Sequence, residues 1–110
     1  MPLNSKAKGA RGERLWRDEL REAGFTARRG QQYAGGTDSP DVMCDELSNL
    51  HMEVKFVESL NLTAATEQAE RDAEGKPWIV AHKKTRSGWL VTMTRDTFFK
   101  LLREGMDGLK

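Results

Sequence analysis

Two short segments hold the residues best suited to chemistry: Pro40-Asp41 and Glu53-Val54-Lys55. Side chains alternate across a strand, so residues two apart share a face. In His51-Met52-Glu53-Val54-Lys55-Phe56-Val57, the Met52, Val54 and Phe56 face reads as core. Glu53 and Lys55 take the other face, an acid and a base side by side in an otherwise apolar strand. Asp41-Val42-Met43-Cys44-Asp45 reads as the preceding antiparallel strand, with Glu46–Leu50 as the connection. A turn centred near Ser48 sets Asp41 roughly opposite Lys55 and diagonal to Glu53, on the same face. A slip of one residue would turn the apolar set outward.

Two carboxylates converging on one point repel each other, which raises a pKa or recruits a cation. Hard oxygen ligands suit Mg²⁺, which is usually held by one or two carboxylates with water and substrate phosphate. A neighbouring lysine would orient an attacking water or offset charge developing on a phosphate. An ordinary Asp/Glu/Lys cluster on the open face of a hairpin has the same spacing, so the pattern alone leaves both readings open.

These residues must be positioned by a chain of 110 residues, 32% charged and 37% hydrophobic, which bounds one domain with one core. No apolar run approaches the ~20 residues of a membrane span. The polar, basic N-terminus has no secretory h-region, so a cytoplasmic location is expected, that of the host if the chain is phage-encoded. The single cysteine, Cys44, allows no internal disulfide and reads as buried. Net charge is only +1, but residues 1–30 carry eight Lys/Arg against four acids, and residues 38–74 carry ten acids against Lys55 and Arg71. Basic ends around an acidic middle suit a phosphate polymer meeting a metal site; ordinary solvated charge gives the same pattern.

Residues 1–8 read as a flexible basic arm. A first helix is expected from Gly9–Gly12 to Ala23, with a Trp16, Leu20, Ala23 stripe and Gly24 just past its end. Glu13 lies in line with that stripe; it is either a first-turn acid favoured by the helix dipole or a reach toward Asp41 and Glu53. Phe25–Arg29 reads as a strand, and Gly30–Ser39 as a polar loop whose Gln31 and Gln32 could meet a nucleic-acid backbone. Thr63 is the expected cap of an Ala-rich helix, Ala64–Glu74, bordered by Gln68 and closed by Gly75 and Pro77. Trp78–His82 and Trp89–Met93 are the next strands, joined by a basic turn. His82 reads as a satisfied strand-end histidine, since no His or Cys stands at ligand spacing. Thr94 caps a last helix, Arg95–Arg103, expected to bury Phe98, Leu101 and Leu102, and residues 105–110 are expected to fray. The order α-β-β-β-α-β-β-α gives an α/β class with a central mixed sheet, its β-helix-β crossover parallel and right-handed.

At these residues the sequence resembles the PD-(D/E)XK nuclease superfamily, and within it the archaeal-type and phage Holliday junction resolvases. The matching positions are Glu13, Pro40-Asp41, Glu53-Val54-Lys55 and Gln68, supported by Gly12-Glu13, Gly24-Phe25 and Gly75…Pro77-Trp78-Ile79-Val80, across about residues 9–102. The resemblance implies a restriction-endonuclease-like fold. It implies Asp41 and Glu53 as metal ligands with the Val54 carbonyl assisting, Glu13 completing the acidic site, Lys55 positioning or activating water, and Gln68 supporting the site. It implies Mg²⁺, with Mn²⁺ able to substitute, metal-activated water attack leaving 5′-phosphate and 3′-hydroxyl, and a homodimer. The loop Gly30–Ser39 departs from the small Ser-containing pattern associated with the archaeal enzymes.

The leading expectation is therefore a Mg²⁺-dependent, structure-selective DNA endonuclease acting on four-way junctions. Lys6, Lys8, Arg11, Arg14, Arg28, Arg29, Gln31, Gln32, Lys83, Lys84 and Arg86 are the expected backbone contacts. Aromatic residues are few, at 7%, which favours reading of duplex or junction shape over stacking on single strands. The rivals are a restriction- or repair-like nuclease on ordinary duplex, and a non-catalytic DNA-binding module on the same fold.

Overall fold

The computed structural model describes residues 5–30 and 40–110; the side chains of Ser5 and Lys6 lie outside that description. The first helix, α1, spans Ser5–Glu22. It is followed by β1 (Ala27–Arg29), β2 (Val42–Cys44), a 3₁₀ turn (Asp45–Leu47) and β3 (His51–Phe56). Then come α2 (Leu62–Ala73), β4 (Trp78–Lys83), β5 (Leu90–Met93), α3 (Arg95–Glu104) and a closing 3₁₀ segment (Gly105–Leu109). The five strands form one sheet in chain order: β1, β2 and β3 pair antiparallel, β3 and β4 parallel, and β4 and β5 antiparallel. The parallel step is the β3–α2–β4 crossover expected from the sequence.

Alternation on β3 and β4 sorts the two faces. Met52, Val54 and Ile79 join Leu20, Val42, Cys44, Leu50 and Leu109 in the larger core, with Trp16 and Leu101 packed against it. On the opposite face, α2 lays Ala65, Ala69 and Ala73 on Trp78 and Val80. Small alanines let the helix sit close to the sheet, as the Ala-rich stretch suggested. Gly12 does the same for α1: a Cβ there would stand 2.6 Å from the Phe56 Cβ, so the helix meets β3 almost backbone to side chain. The buried thiol of Cys44 donates to Glu46, and its pKa is pushed up, first by burial.

Several expectations change. α1 starts at Ser5, so residues 5–8 form its first turn rather than part of an arm, and Ala23 is exposed just past its end. The β2–β3 register is Val42 opposite Met52, which brings Asp41 opposite Glu53 rather than Lys55. The centre of the connection is Leu47, buried in the 3₁₀ turn, not Ser48. A one-residue shift of the centre moves the pairing by two, which keeps every side chain on its expected face. Asn61, not Thr63, caps α2, its side chain accepting from the Ala64 N–H at 3.0 Å. Thr94 caps α3 as expected, accepting from Thr97 N–H at 3.1 Å. However, α3 turns Thr97 and Leu101 inward and leaves Phe98 and Leu102 48% and 68% exposed. The tail does not fray: Leu109 is buried and its carbonyl accepts from Asn49 N–H.

Candidate active site

A cleft of about 400 Å³ opens where β2 leaves β3, and it is lined by Glu13, Asp41, Glu53, Val54, Lys55 and Gln68. Thus α1, the start of β2, β3 and α2 each contribute to one site. The placement of Asp41 follows from how the ladder ends. Its N–H donates to the Met52 carbonyl at 3.0 Å, and its carboxylate accepts from the Val54 N–H at 2.7 Å. The Asp41 side chain thus stands where the next ladder acceptor would be. In a strand the N–H and C=O of one residue point to the same edge, so the Val54 carbonyl looks toward the same opening.

Asp41 and Glu53 are within hydrogen-bonding reach of each other. Asp41 is held up to about 7, first by burial and then by the Glu53 charge, with the Val54 N–H opposing and Glu13 adding to the rise. A half-buried carboxyl group held against a buried one in this way shares a proton or takes up a cation. The donors are all oxygens, which suits a hard divalent ion such as Mg²⁺. Asp41, Glu53 and the Val54 carbonyl therefore fit such an ion.

Glu13 shares the cleft but is spoken for. It is 8% exposed, and its Oε1 accepts from Arg29 Nη2 at 2.8 Å and Nε at 3.1 Å. Among the described residues no three His, Cys, Asp or Glu side chains stand close enough to hold one ion. The expected three-carboxylate cluster is thus a close pair with a third acid behind it, neutralised by Arg29. Lys55 Nζ donates to Gln68 Oε1 at 2.9 Å, so the amide on α2 fixes the amine beside the pair. One residue went unnoticed in the sequence. His51 Nε2 stands 2.7 Å from Glu53 Oε1, with both side chains almost fully buried. Its position, two before Glu53 on the same strand face, was the available signal.

The cations expected to meet DNA fall into several groups. Lys8 lies at the rim of the cleft, bonded to Glu58 at 2.9 Å and over the Phe56 ring. Glu58 also accepts from the N–H and hydroxyl of Thr85, which ties the start of α1 to the basic β4–β5 turn. These bonds hold the Glu58 carboxyl near 2, the Thr85 N–H contributing most. Lys83 lies near the rings of Phe56 and Trp89, while Lys84, Arg86, Arg11 and Arg14 are exposed. Arg28 pairs with Asp45, away from the cleft lining. Gln31, Gln32 and the Lys6 side chain lie outside the described residues. His82 is satisfied by Thr92 Oγ1 at 2.9 Å, and burial lowers its pKa.

No protein-family model matches the sequence, and no curated protein does. Among solved structures the chain is similar to Hjc, a Holliday junction resolvase from the archaeal hyperthermophile Archaeoglobus fulgidus, known at 1.6 Å. The two share 30% sequence identity and a TM-score of 0.59, over 76% of this chain and 73% of that one. The mixed five-stranded sheet with helices on both faces is the restriction-endonuclease-like α/β arrangement.

Proposed function

Because the chain belongs to the PD-(D/E)XK nuclease superfamily, in the branch of the archaeal-type Holliday junction resolvases, we propose that it is a divalent-metal-dependent endonuclease of four-way DNA junctions. The observation that carries this reading is the convergence of Asp41 and Glu53 in one cleft, with Lys55 next to them.

In this reading Asp41, Glu53 and the Val54 carbonyl would hold Mg²⁺, for which Mn²⁺ would substitute. When bound, the ion supplies Lewis acidity that polarises the scissile phosphate and favours ionisation of the attacking water. Lys55, fixed by Gln68, orients that water and offsets charge growing on the phosphate oxygens. Hydrolysis forms a P–O bond from water and breaks the P–O3′ bond; the 3′ oxygen takes a proton, leaving 5′-phosphate and 3′-hydroxyl. Glu13 and Arg29 form a compensated pair behind the site, with Arg29 also available to a phosphate. The exposed cations of α1 and of the β4–β5 turn hold the backbone on both sides of the cleft.

Cutting both strands of a junction calls for two sites, which we assign to a homodimer. Leu90 and Val91 on edge strand β5, and Phe98, Phe99, Leu102 and Met106 on α3 and its continuation, are 43–68% exposed. Apolar side chains at this density suit a protein partner, here a second copy.

The test is cleavage of a four-way junction with Mg²⁺ at moderate salt, beside a linear duplex of the same sequence. The junction is cut in preference to the duplex. Glu53→Gln and Lys55→Ala lose cutting while junction binding is kept or tightened. Equal cutting of both substrates would refute the junction preference, and variants that cut like the parent would refute the catalytic assignment.

A further inference from the structure

Glu53 is held from two sides. One side faces Asp41 across the cleft; on the other, Oε1 meets His51 Nε2 at 2.7 Å. The His51 side chain is 4% exposed, and its backbone N–H is fixed to the Pro77 carbonyl at 2.9 Å. Its ring lies on the α2 side of β3, next to Trp78 in the parallel register. An ionised Glu53 can only accept, so Nε2 carries the proton in this bond. A buried imidazole on a carboxylate oxygen fixes that carboxylate's rotamer, which is the task of outer partners around metal ligands.

We propose that His51 is a positioning residue: by binding Glu53 Oε1, it aims the other carboxylate oxygen at the divalent ion shared with Asp41. The assignment rests on the cation site of the preceding reading. It gives His51 no contact with DNA and no proton to transfer.

The test is Mn²⁺ binding to the metal-free protein without DNA, measured by calorimetry on the parent, His51→Leu, His51→Asn and His51→Gln. Glutamine carries an amide donor close to the place of Nε2; asparagine is too short, and leucine has no donor. His51→Leu and His51→Asn are expected to bind Mn²⁺ about tenfold to a hundredfold more weakly, with His51→Gln within about threefold of the parent. Junction binding in EDTA stays at the parent level for all variants. If His51→Leu fails to fold, as read by circular dichroism, the contrast between asparagine and glutamine decides. Parent-like Mn²⁺ affinity in His51→Asn overturns the proposal, as does glutamine failing as badly as asparagine. A parent that binds no Mn²⁺, or a Glu53→Gln variant that binds it unchanged, overturns the cation site itself, whatever His51 does.

Discussion

Replacing Asp41 with asparagine should stabilise the metal-free protein, and the gain should grow with pH. The folded-state pKa of Asp41, about 7, lies above its ordinary value of 3.8, so between those values the folded chain holds a proton that the unfolded chain has lost. Stability therefore falls as pH rises from about 4 to about 7, and is level above. Each pKa unit is worth about 1.36 kcal/mol, so the full displacement corresponds to roughly 4 kcal/mol. Relaxation and water entry at an open cleft reduce this, to about 2–4 kcal/mol. Burial contributes most and the Glu53 charge next, and asparagine relieves both. It also keeps an oxygen for the Val54 N–H, so the end of the ladder is preserved.

The assay is urea or thermal unfolding in EDTA at several pH values from about 4 to about 8.5, which spans the titration. Asp41→Asn should nearly match the parent at the acid end and exceed it by about 2–4 kcal/mol near pH 8, roughly 10 °C or more in Tm for a domain near this size. Mg²⁺ should then raise the Tm of the parent at pH 8 and do far less for the variant. A difference between the two proteins that does not change with pH, or a variant less stable at pH 8, would refute the like-charge pair.

Other perturbations test the frame around the site. Gly12→Ala gains about 1 kcal/mol in helix propensity, but its Cβ would meet the Phe56 Cβ at 2.6 Å. Overpacking of about 1–3 kcal/mol should win, lowering urea stability and slowing cutting as α1 and Glu13 shift; a stability gain would contradict the close approach. Asn61→Ala should lose about 0.5–2 kcal/mol of stability with junction cutting unchanged, measured by urea melts beside the cleavage assay. Leu102→Glu, on the exposed side of α3, should shift sedimentation from dimer to monomer at micromolar concentration while circular dichroism still shows the folded chain, and its Tm should lose the concentration dependence of the parent.

The chemistry-bearing strand was legible because period-two alternation is strict: Glu53 and Lys55 had to share a face opposite Met52, Val54 and Phe56. The close approach of Asp41 to Glu53 also survived a register misplaced by two residues, since only an odd shift changes faces. The register itself was not legible. Leu47 and Leu50 are buried by contacts distant in sequence, including the C-terminal segment, and these set the length of the connection. The same packing explains why residues 105–109 are ordered against the core. Arg29 looked like a surface cation for DNA, and Glu13 like a ligand. Their pairing depends on how α1 crosses β1, which neither local pattern specifies. The buried face of α3 was misread because Phe98 and Leu102 satisfy helical spacing as well as Leu101 does. His51 shares the Glu53 face by alternation, but a histidine on a buried strand face carries no local mark that its ring meets a carboxylate rather than simply filling the core.

The most direct measurement is the location of Mn²⁺ in crystals of the parent by anomalous diffraction. The expected result is an ion between the Asp41 and Glu53 carboxylates, at the edge where the Val54 carbonyl opens, and its loss in Glu53→Gln. An ion bound elsewhere, or an empty carboxylate pair in a protein that still cuts junctions with Mn²⁺, would contradict it.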